Sequence, residues 1–359
     1  MALTVSHDSL LRLFHALIRL AALALALSGT NLRAQAAQPA QLTSHSPGNT
    51  ALLDESLRWL NAPPRFEAEY NFELTVEIRL LLFWTAKDDV GGGYVKVGQA
   101  ASDPSLEVIR LLFGSDPAKA HGINRWGAGT EVAKRGPGGA VESSAFFGFM
   151  KSSQGESAGS MQQELSTEKQ LSQHRFEAVI SRVDPGAAIS TTVPFYSDHD
   201  FDFRELEPAE RTVLDEIQQG QARTFHALEG NAAACDRSNG FLSTVQELAN
   251  QALDKRPLPS TLCYIYNARQ YTITLDSARP VTEKVVSFAV AGSKQKVQRT
   301  YRDVDEARFY VLNRATGKKT YFALLLGTTG SLRGVPLQID YQPNWWFRII
   351  LNLRTPDSK

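Results

Sequence analysis

The segment Gly155-Glu156-Ser157-Ala158-Gly159 places a serine between two glycines, the spacing of a hydrolase nucleophile elbow. Such an elbow exposes the serine hydroxyl on a strained turn, and an apolar strand must run directly into that turn. Four polar residues precede the segment instead. A catalytic triad of this class also needs an acidic residue and then a histidine after the serine. Asp198 or Asp200, followed by His226, fits that order. Ser157 is therefore a candidate nucleophile, and the alternative is a surface loop rich in serine and glycine.

Asp198, Asp200 and Asp202 place three carboxylates at alternate positions, as at the start of an EF-hand calcium loop. The sixth and twelfth positions of that loop require glycine and glutamate, but Phe203 and Ala209 stand there. On one face of a strand, the three carboxylates could bind a hard cation with a fourth ligand from elsewhere. The alternative is a solvated acidic face that favours the N-terminal dipole of the helix that follows. We predict the second arrangement, with no metal and no cofactor.

Asp116, Asn124, Arg125 and Trp126 lie close together in a predicted loop after a strand. An arginine next to a tryptophan can pair with a carboxylate or stack on a ring. We interpret this group as a packed anchor for the loop.

The sequence contains two cysteines, Cys235 and Cys263. In an oxidising compartment an isolated pair is most simply a disulfide, and the alternative is two buried free thiols. The two residues lie 28 positions apart. Closing a loop of that length stabilises a fold by about 3–4 kcal/mol.

Residues 1–36 have the pattern of a bacterial-type secretory signal peptide. Basic residues precede the unbroken alanine and leucine stretch Leu20–Leu27, which is too short to span a bilayer as a helix. Ala34-Gln35-Ala36 fits the small-x-small cleavage pattern, and Ala26-Leu27-Ser28 offers a second cleavage position. The alternative is an uncleaved anchor helix, which would contain Arg19. We expect cleavage, hence a periplasmic or secreted protein with no transmembrane helix after signal removal.

The composition excludes one class of partner. The 359-residue chain has a formal net charge of zero, whereas a nucleic-acid-binding protein would show a basic stripe. Zero net charge also provides no general attraction to anionic lipid. Hydrophobic residues make up 43% of the chain, enough for a substantial core.

The pattern of the chain predicts four segments after the signal. Residues 37–49 form a loose leader rich in polar residues and proline, and residues 50–204 form a helix followed by a β-rich domain. Residues 205–256 are a helical segment, and residues 257–359 are an antiparallel β meander of about six strands. The prediction leaves open whether these form one large domain or two interleaved domains.

The clearest pattern in the chain is a strict alternation over residues 66–80. Phe72, Leu74 and Val76 alternate with polar residues such as Glu73 and Thr75, which predicts a strand with one buried and one wet face. A strand of this length should bend or consist of two strands. Long strands of this kind favour a barrel or a strongly curled sheet.

Local signals predict where elements end. Asp88-Asp89 and Gly91-Gly92-Gly93 should break the strand and form a hairpin. Pro208 should occupy the first turn of a helix whose apolar residues run from Leu214 to Leu228. A second helix should begin before Phe241, capped by Ser238 or Asn239.

The last hundred residues carry a family resemblance. Gly334-Val335-Pro336-Leu337-Gln338-Ile339-Asp340-Tyr341 runs into a hairpin, and several strands follow Tyr271 in order before it. This ending resembles that of secreted, β-rich envelope domains of bacteria that carry only a domain-of-unknown-function label. The resemblance implies an export signal and a curled sheet, and it implies no reaction.

These observations predict a mainly β (α+β) protein with an antiparallel, strongly curled or barrel-like sheet and about three helices. The predicted function is non-enzymatic: an exported envelope protein that binds an apolar small molecule, a lipid or a protein partner on its sheet. The apolar strand Tyr321–Leu326, which has no polar face, supports this prediction. The alternative is a secreted hydrolase that uses Ser157 or the cluster of Asp198, Asp200 and Asp202.

Overall fold

The computed structural model describes residues 47–80, 83–120, 122–136, 139–151, 166–167, 173–185, 187–218, 226–227, 238–266, 269–289, 296–344 and 347–354. Within these residues the α-helices are α1 (Pro47–Asn61), α2 (Leu206–Glu216) and α3 (Phe241–Leu253). A short 3-10 helix spans Gly330–Leu332. The predicted signal peptide, the leader up to residue 46 and Ser157 lie outside the described residues.

In the part of the chain that the structure describes, fifteen strands form a single sheet. The strands of the N-terminal half are β1 (Pro64–Leu80), β2 (Phe83–Ala100), β3 (Asp103–Ser115), β4 (Trp126–Arg135), β5 (Val141–Lys151), β6 (His174–Asp184), β7 (Ala187–Ser197) and β8 (His226–Ala227). Those of the C-terminal half are β9 (Ser238–Asn239), β10 (Ser260–Tyr266), β11 (Arg269–Ala289), β12 (Lys296–Asn313), β13 (Lys319–Gly327), β14 (Pro336–Asn344) and β15 (Phe347–Arg354). The predicted meander of about six strands corresponds to β10–β15.

The order of the strands is β8-β7-β6-β5-β4-β3-β2-β1-β15-β14-β13-β12-β11-β10-β9. All pairs are antiparallel except β9 with β10, and β1 joins the two halves by pairing with β15. The mainly β, antiparallel class with three helices is therefore confirmed. The sheet is open, with β8 and β9 as its edges, so the prediction of a closed or strongly curled sheet is wrong. Besides the β1–β15 pairing, side-chain contacts and α3 also connect the two halves.

The long alternating segment is strand β1, and its apolar face is buried as predicted. Phe72 is 2% exposed, Leu74 0% and Val76 3%, and they pack with residues of β15. The prediction that Glu73 and Thr75 face water is wrong, because both are also buried.

A distortion in β2 explains this burial of the polar face. The register between β1 and β2 shifts between Leu74 and Val76, opposite a β2 segment in which Asp89 has a φ of 54°. The backbone N–H of Asp89 donates to Glu73 Oε1 at 3.0 Å. Thr75 Oγ1 donates to Asp88 Oδ1 at 3.0 Å. The bulged segment thus covers the polar face of β1 and satisfies its side chains by hydrogen bonds.

The glycines that were predicted to break the strand lie inside β2. A Cβ atom at Gly91 would lie 2.0 Å from the carbonyl oxygen of Gly114, and one at Gly93 would lie 2.1 Å from that of Leu112. These glycines therefore allow β2 and β3 to approach closely, and the predicted hairpin at this point is wrong. The chain reverses between Leu80 and Phe83 instead.

Helices α1 and α2 pack against the N-terminal half of the sheet, and α3 packs mainly against the C-terminal half. Leu53 and Leu57 of α1 and Val213 and Leu214 of α2 pack against one face of β3–β7. Helix α3 packs against residues of β10–β13.

Two predicted helix starts are shifted. Helix α2 begins at Leu206, so Pro208 lies two residues inside it. The residue that precedes α3 is Gly240, and neither Ser238 nor Asn239 caps the helix.

Candidate functional site

An apolar cavity of about 250 Å³, called the cavity below, lies between the two halves of the sheet. Strands β3, β4 and β5 line one side, strands β10 and β12–β15 line the other, and α3 contributes a third wall. The lining residues within the described part of the chain are almost all aliphatic or aromatic. None of them is charged.

Alternation along β3 and β5 determines which side chains reach the cavity. Leu111 and Phe113 of β3 line it, whereas Leu112 between them lies in the core under α1 and α2. Phe146 of β5 also lines the cavity, whereas Phe147 lies with Leu112 in the core under α1 and α2. Both faces of these strands are therefore apolar, because one face meets helices and the other meets the cavity.

Two glycines of β4 leave the space that the cavity occupies. A Cβ atom at Gly127 would lie 3.6 Å from the ring of Phe113, an ordinary van der Waals distance. A Cβ atom at Gly129 would lie 3.1 Å from the ring of Phe146, which is a tight contact. A larger residue at Gly127 therefore has room for its Cβ and would extend towards the cavity.

Aromatic contacts connect the two walls. The rings of Phe146 and Tyr266 are 6.0 Å apart in an edge-to-face arrangement. Phe241 at the start of α3 packs at 5.2 Å from Tyr264. Strand β5, strand β10 and α3 therefore meet at the same point of the cavity.

Glu131 of β4 holds α3 in place over the cavity. Its carboxylate accepts hydrogen bonds from the backbone N–H of Leu242 at 2.7 Å and of Ser243 at 3.3 Å. A Cβ atom at residue 240 would lie 2.2 Å from this carboxyl group, so only glycine allows the approach. Burial raises the pKa of Glu131 to about 7, although the hydrogen bonds from Ser243 and Leu242 oppose the shift.

Three tyrosines, Tyr264, Tyr266 and Tyr341, supply phenol groups to the lining. The Tyr266 hydroxyl donates to the thioether sulfur of Met150 at 3.6 Å, and sulfur is a weak acceptor. Burial raises the pKa of Tyr264 well above its ordinary value, and the neighbouring phenols of Tyr271, Tyr266 and Tyr341 raise it further. Burial also raises the pKa of Tyr266 and of Tyr341. At neutral pH these hydroxyls are therefore protonated.

Two of the three aspartates of the candidate metal site, Asp200 and Asp202, contact protein groups. Asp200 forms an ion pair with Lys151 at 2.5 Å, and His174 Nδ1 lies 3.8 Å from the same carboxylate. The Asp202 carboxylate accepts a hydrogen bond from the backbone N–H of Arg204 at 2.7 Å. Asp198 is exposed. His226 lies in β8, and Ser157 falls outside the described residues.

The loop around Asp116 is a packed anchor, as predicted. Arg125 and Trp126 are 1% and 0% exposed. The indole N–H of Trp126 donates to the carbonyl oxygen of Phe201 at 2.7 Å, and its ring stacks on Phe176 at 5.4 Å.

Cys263 lies in β10 and is not a free thiol. Cys235 lies outside the described residues, so the pairing of these two cysteines stays a prediction.

Sequence reasoning missed the cavity residues apart from one segment. The apolar strand Tyr321–Leu326 contains Phe322 and Leu324, which line the cavity, whereas Tyr321 is 56% exposed. The pairing of Phe146 with Tyr266 has no sequence signal, because these residues lie 120 positions apart.

The fold and the cavity define an open antiparallel β protein with an apolar interior site. No family model matches the sequence, and no curated protein matches it. One similar solved structure is the crystal structure of a β-barrel-like protein of the domain of unknown function DUF1849 from Brucella abortus. The two share 10% sequence identity over 80% of this chain and 95% of that chain, with a TM-score of 0.40. A likeness at this level carries no argument about function.

Within the described ranges, no helix combines the length and the apolar character that a membrane span needs.

Proposed function

We propose that this chain is an exported envelope protein that binds an apolar small molecule in the cavity. The observation that carries the proposal is the cavity itself, which is partly open to solvent and lined by uncharged, mostly apolar side chains of both sheet halves. Well-packed interiors contain few voids larger than a water molecule, so a space of this size is unusual in a core. A mostly apolar lining offers water few hydrogen-bond partners, so an apolar ligand can displace water from it.

The volume limits the ligand. A cavity of about 150 Å³ holds benzene, and drug-sized pockets begin at about 300 Å³. The observed volume of about 250 Å³ lies between these values. We therefore propose a small apolar molecule, or one short hydrocarbon segment of a larger lipid.

Export is supported by the sequence of residues 1–36, which lie outside the described residues. An apolar binding site suits an envelope protein, because lipids and other apolar molecules are abundant between and near membranes. The test of export is the N-terminal sequence of the protein recovered from the periplasm. Cleavage after Ala36 is expected, and full-length protein retained inside the cell would contradict it.

The binding test uses N-phenyl-1-naphthylamine, a dye whose fluorescence rises in apolar surroundings. We expect saturable binding to the full folded protein. Gly127→Leu should weaken it about tenfold or more, because the added side chain occupies the cavity; tenfold corresponds to about 1.4 kcal/mol. Ala86→Leu is the matched control, since Ala86 is exposed on β2.

Equal weakening by both variants would show that the dye binds the surface. Absence of saturable binding to the unmodified protein would contradict the proposal. Circular dichroism checks that both variants are folded.

A further inference from the structure

Two neighbouring hairpins of the sheet turn at the same end. Leu80 pairs with Phe83 where β1 and β2 reverse direction. Phe347 of β15 pairs with Ile78 of β1 and with Asn344 of β14, so β14 and β15 reverse direction next to that point. Strands β1 and β15 are antiparallel partners, and their hairpins therefore end side by side.

Two further hairpins turn at this end. Leu312 pairs with Lys319 where β12 and β13 reverse, and Tyr266 pairs with Arg269 where β10 and β11 reverse. Neighbouring strands from β10 to β15 are all antiparallel, so alternate hairpins of this meander turn at the same end. We call these four turns, with the strand residues next to them, the basic end; it comprises residues 79–87, 266–270, 313–319 and 343–347.

The charges of the basic end have one sign. Its sequence contains no aspartate or glutamate, and its basic residues are Arg79, Lys87, Arg269, Arg314, Lys318 and Lys319. The whole chain has a formal net charge of zero, so this is a local excess of positive charge. Arg314, Lys318 and Lys319 are exposed to solvent.

Carboxylates that border the basic end have cations of their own. Asp89 forms ion pairs with Lys119 at 2.6 Å and with Arg354 at 3.0 Å. Glu77 forms an ion pair with Arg348 at 3.0 Å. These carboxylates therefore do little to neutralise the basic turns.

Apolar and aromatic residues accompany the positive charge. Two-residue connections between antiparallel strands usually contain glycine, asparagine or aspartate. The sequence that joins β1 to β2 is instead Leu81-Leu82, and the sequence that joins β14 to β15 is Trp345-Trp346; both pairs lie outside the described residues. Among the described residues beside them, Trp84 is 39% exposed. Tyr321, two residues beyond the basic end on β13, is 56% exposed.

We propose that the basic end is a docking surface for an anionic lipid membrane, with Trp84 at the level of the headgroups and Arg314, Lys318 and Lys319 against the lipid phosphates. Clusters of lysine and arginine are attracted to anionic lipid, and tryptophan and tyrosine favour the membrane–water interface. Apolar contact and charge attraction together anchor a protein more stably than either does alone. This inference goes beyond the proposed binding in the cavity and does not depend on a bound ligand.

Docking at this end would also bring the cavity close to lipid. Tyr266 is the last residue of β10 and Thr320 is the second residue of β13, so both lie at strand ends next to the basic turns. Both residues line the cavity.

The experiment measures sedimentation of the folded protein with lipid vesicles. Residues 1–36 are removed, since an apolar signal segment would itself bind lipid, and every described element follows residue 46. One set of vesicles is phosphatidylcholine, and the other is an equal mixture of phosphatidylcholine and phosphatidylglycerol. The protein should bind the anionic vesicles at least about tenfold more tightly, and binding should weaken as the salt concentration rises.

Two variants test the two components of the surface. Lys318→Glu/Lys319→Glu should lower the affinity for anionic vesicles at least about tenfold, because it reverses two charges that face the phosphates. Its matched control is Arg211→Glu/Arg256→Glu, which makes the same change of net charge at exposed positions elsewhere and should stay within about twofold. Trp84→Ser should lower the affinity about threefold or more, whereas Tyr196→Ser, at an exposed aromatic position of β7, should not.

The outcomes decide between a lipid surface and its alternatives. Equal losses in the two charge-reversed variants would assign vesicle binding to net charge and overturn the proposal. Equal affinity for the two kinds of vesicle would overturn it as well. Absence of vesicle binding by the unmodified protein would exclude a lipid partner and leave a protein partner for this end.

Binding of N-phenyl-1-naphthylamine without vesicles is measured on the same variants. Lys318→Glu/Lys319→Glu should bind the dye as the unmodified protein does, which shows that the variant is folded and that its cavity is unchanged. A failure of the docking proposal is thereby distinguished from a failure of the apolar-ligand function. If this variant does not fold, Lys318→Glu alone is used, with an expected loss of at least about threefold for anionic vesicles, and an unchanged affinity would overturn the proposal.

Discussion

The carboxylate of Glu131 accepts a hydrogen bond from the backbone N–H of Leu242 at 2.7 Å. This contact joins β4 of the N-terminal half of the sheet to the first turn of α3, and Leu242 itself lines the cavity. A side chain 111 positions earlier in the sequence therefore caps the helix that forms one wall of the site.

This contact predicts a pH dependence of stability. The folded-state pKa of Glu131 is about 7, above its ordinary value of 4.5, so between these pH values the folded protein holds a proton that the unfolded chain releases. The stabilisation is present in full below about pH 4.5 and is lost as the pH rises through 7. Its size is on the order of 3 kcal/mol. Glu131→Gln, which cannot titrate, should remove this component.

Urea unfolding of both proteins at pH 5.0 and 8.0 measures the effect. Between pH 5.0 and pH 8.0, the unmodified protein should lose about 1–3 kcal/mol of unfolding free energy relative to Glu131→Gln. Glu67→Gln, at an exposed position of β1, serves as the control and should follow the unmodified protein. An equal pH response of all three proteins would show that Glu131 does not titrate in this range.

The two faces of β1 give a second prediction. Leu74→Ala should lower the unfolding free energy by about 2–5 kcal/mol, through lost burial and the cavity that remains. Glu73→Ala should cost about 1–3 kcal/mol, because it removes a buried carboxylate that accepts a hydrogen bond from the partly buried N–H of Asp89. Glu67→Ala, on the exposed part of the same strand, should stay within about 0.5 kcal/mol. A Glu73→Ala cost as small as that of Glu67→Ala would contradict the role of the β2 bulge.

The disulfide gives a third prediction. If Cys235 pairs with Cys263, the protein produced under oxidising conditions has no free thiol, and Cys235→Ser should lower the unfolding free energy by about 2–4 kcal/mol. Thiol titration of the unfolded, unreduced protein measures the first point. Two titrating thiols would exclude the pairing.

Much of the fold could be predicted from local patterns. Alternation identified β1, and its buried residues Phe72, Leu74 and Val76 follow directly from the two-residue period. Turn residues predicted about six strands in residues 257–359, and the described residues there form β10–β15, although Val297–Tyr301 and Ala307–Leu312 belong to the single strand β12. Local patterns failed where a distant segment changes the environment of a residue: the bulge around Asp89 buries Glu73, and close strand packing keeps Gly91–Gly93 inside a strand.

The site could be predicted only in its apolar character. Phe322 and Leu324 belong to a strand without a polar face, which is consistent with a wall of an apolar cavity. The convergence of Phe146, Gly127 and Tyr266 depends on how β4, β5 and β10 approach each other, and no short-range pattern encodes that approach. The candidate chemical groups Ser157 and Asp198 drew attention because of their spacing, which is a local property.

The most direct test of the apolar-ligand claim is a crystal structure of the protein soaked with 1-bromohexane, in which bromine is located by its anomalous scattering. The account predicts a bromine peak inside the cavity, between Gly127 of β4 and Phe322 of β13, and no such peak in crystals of Gly127→Leu. A cavity without bromine, while bromine binds at the protein surface, would contradict the claim that this space is a binding site.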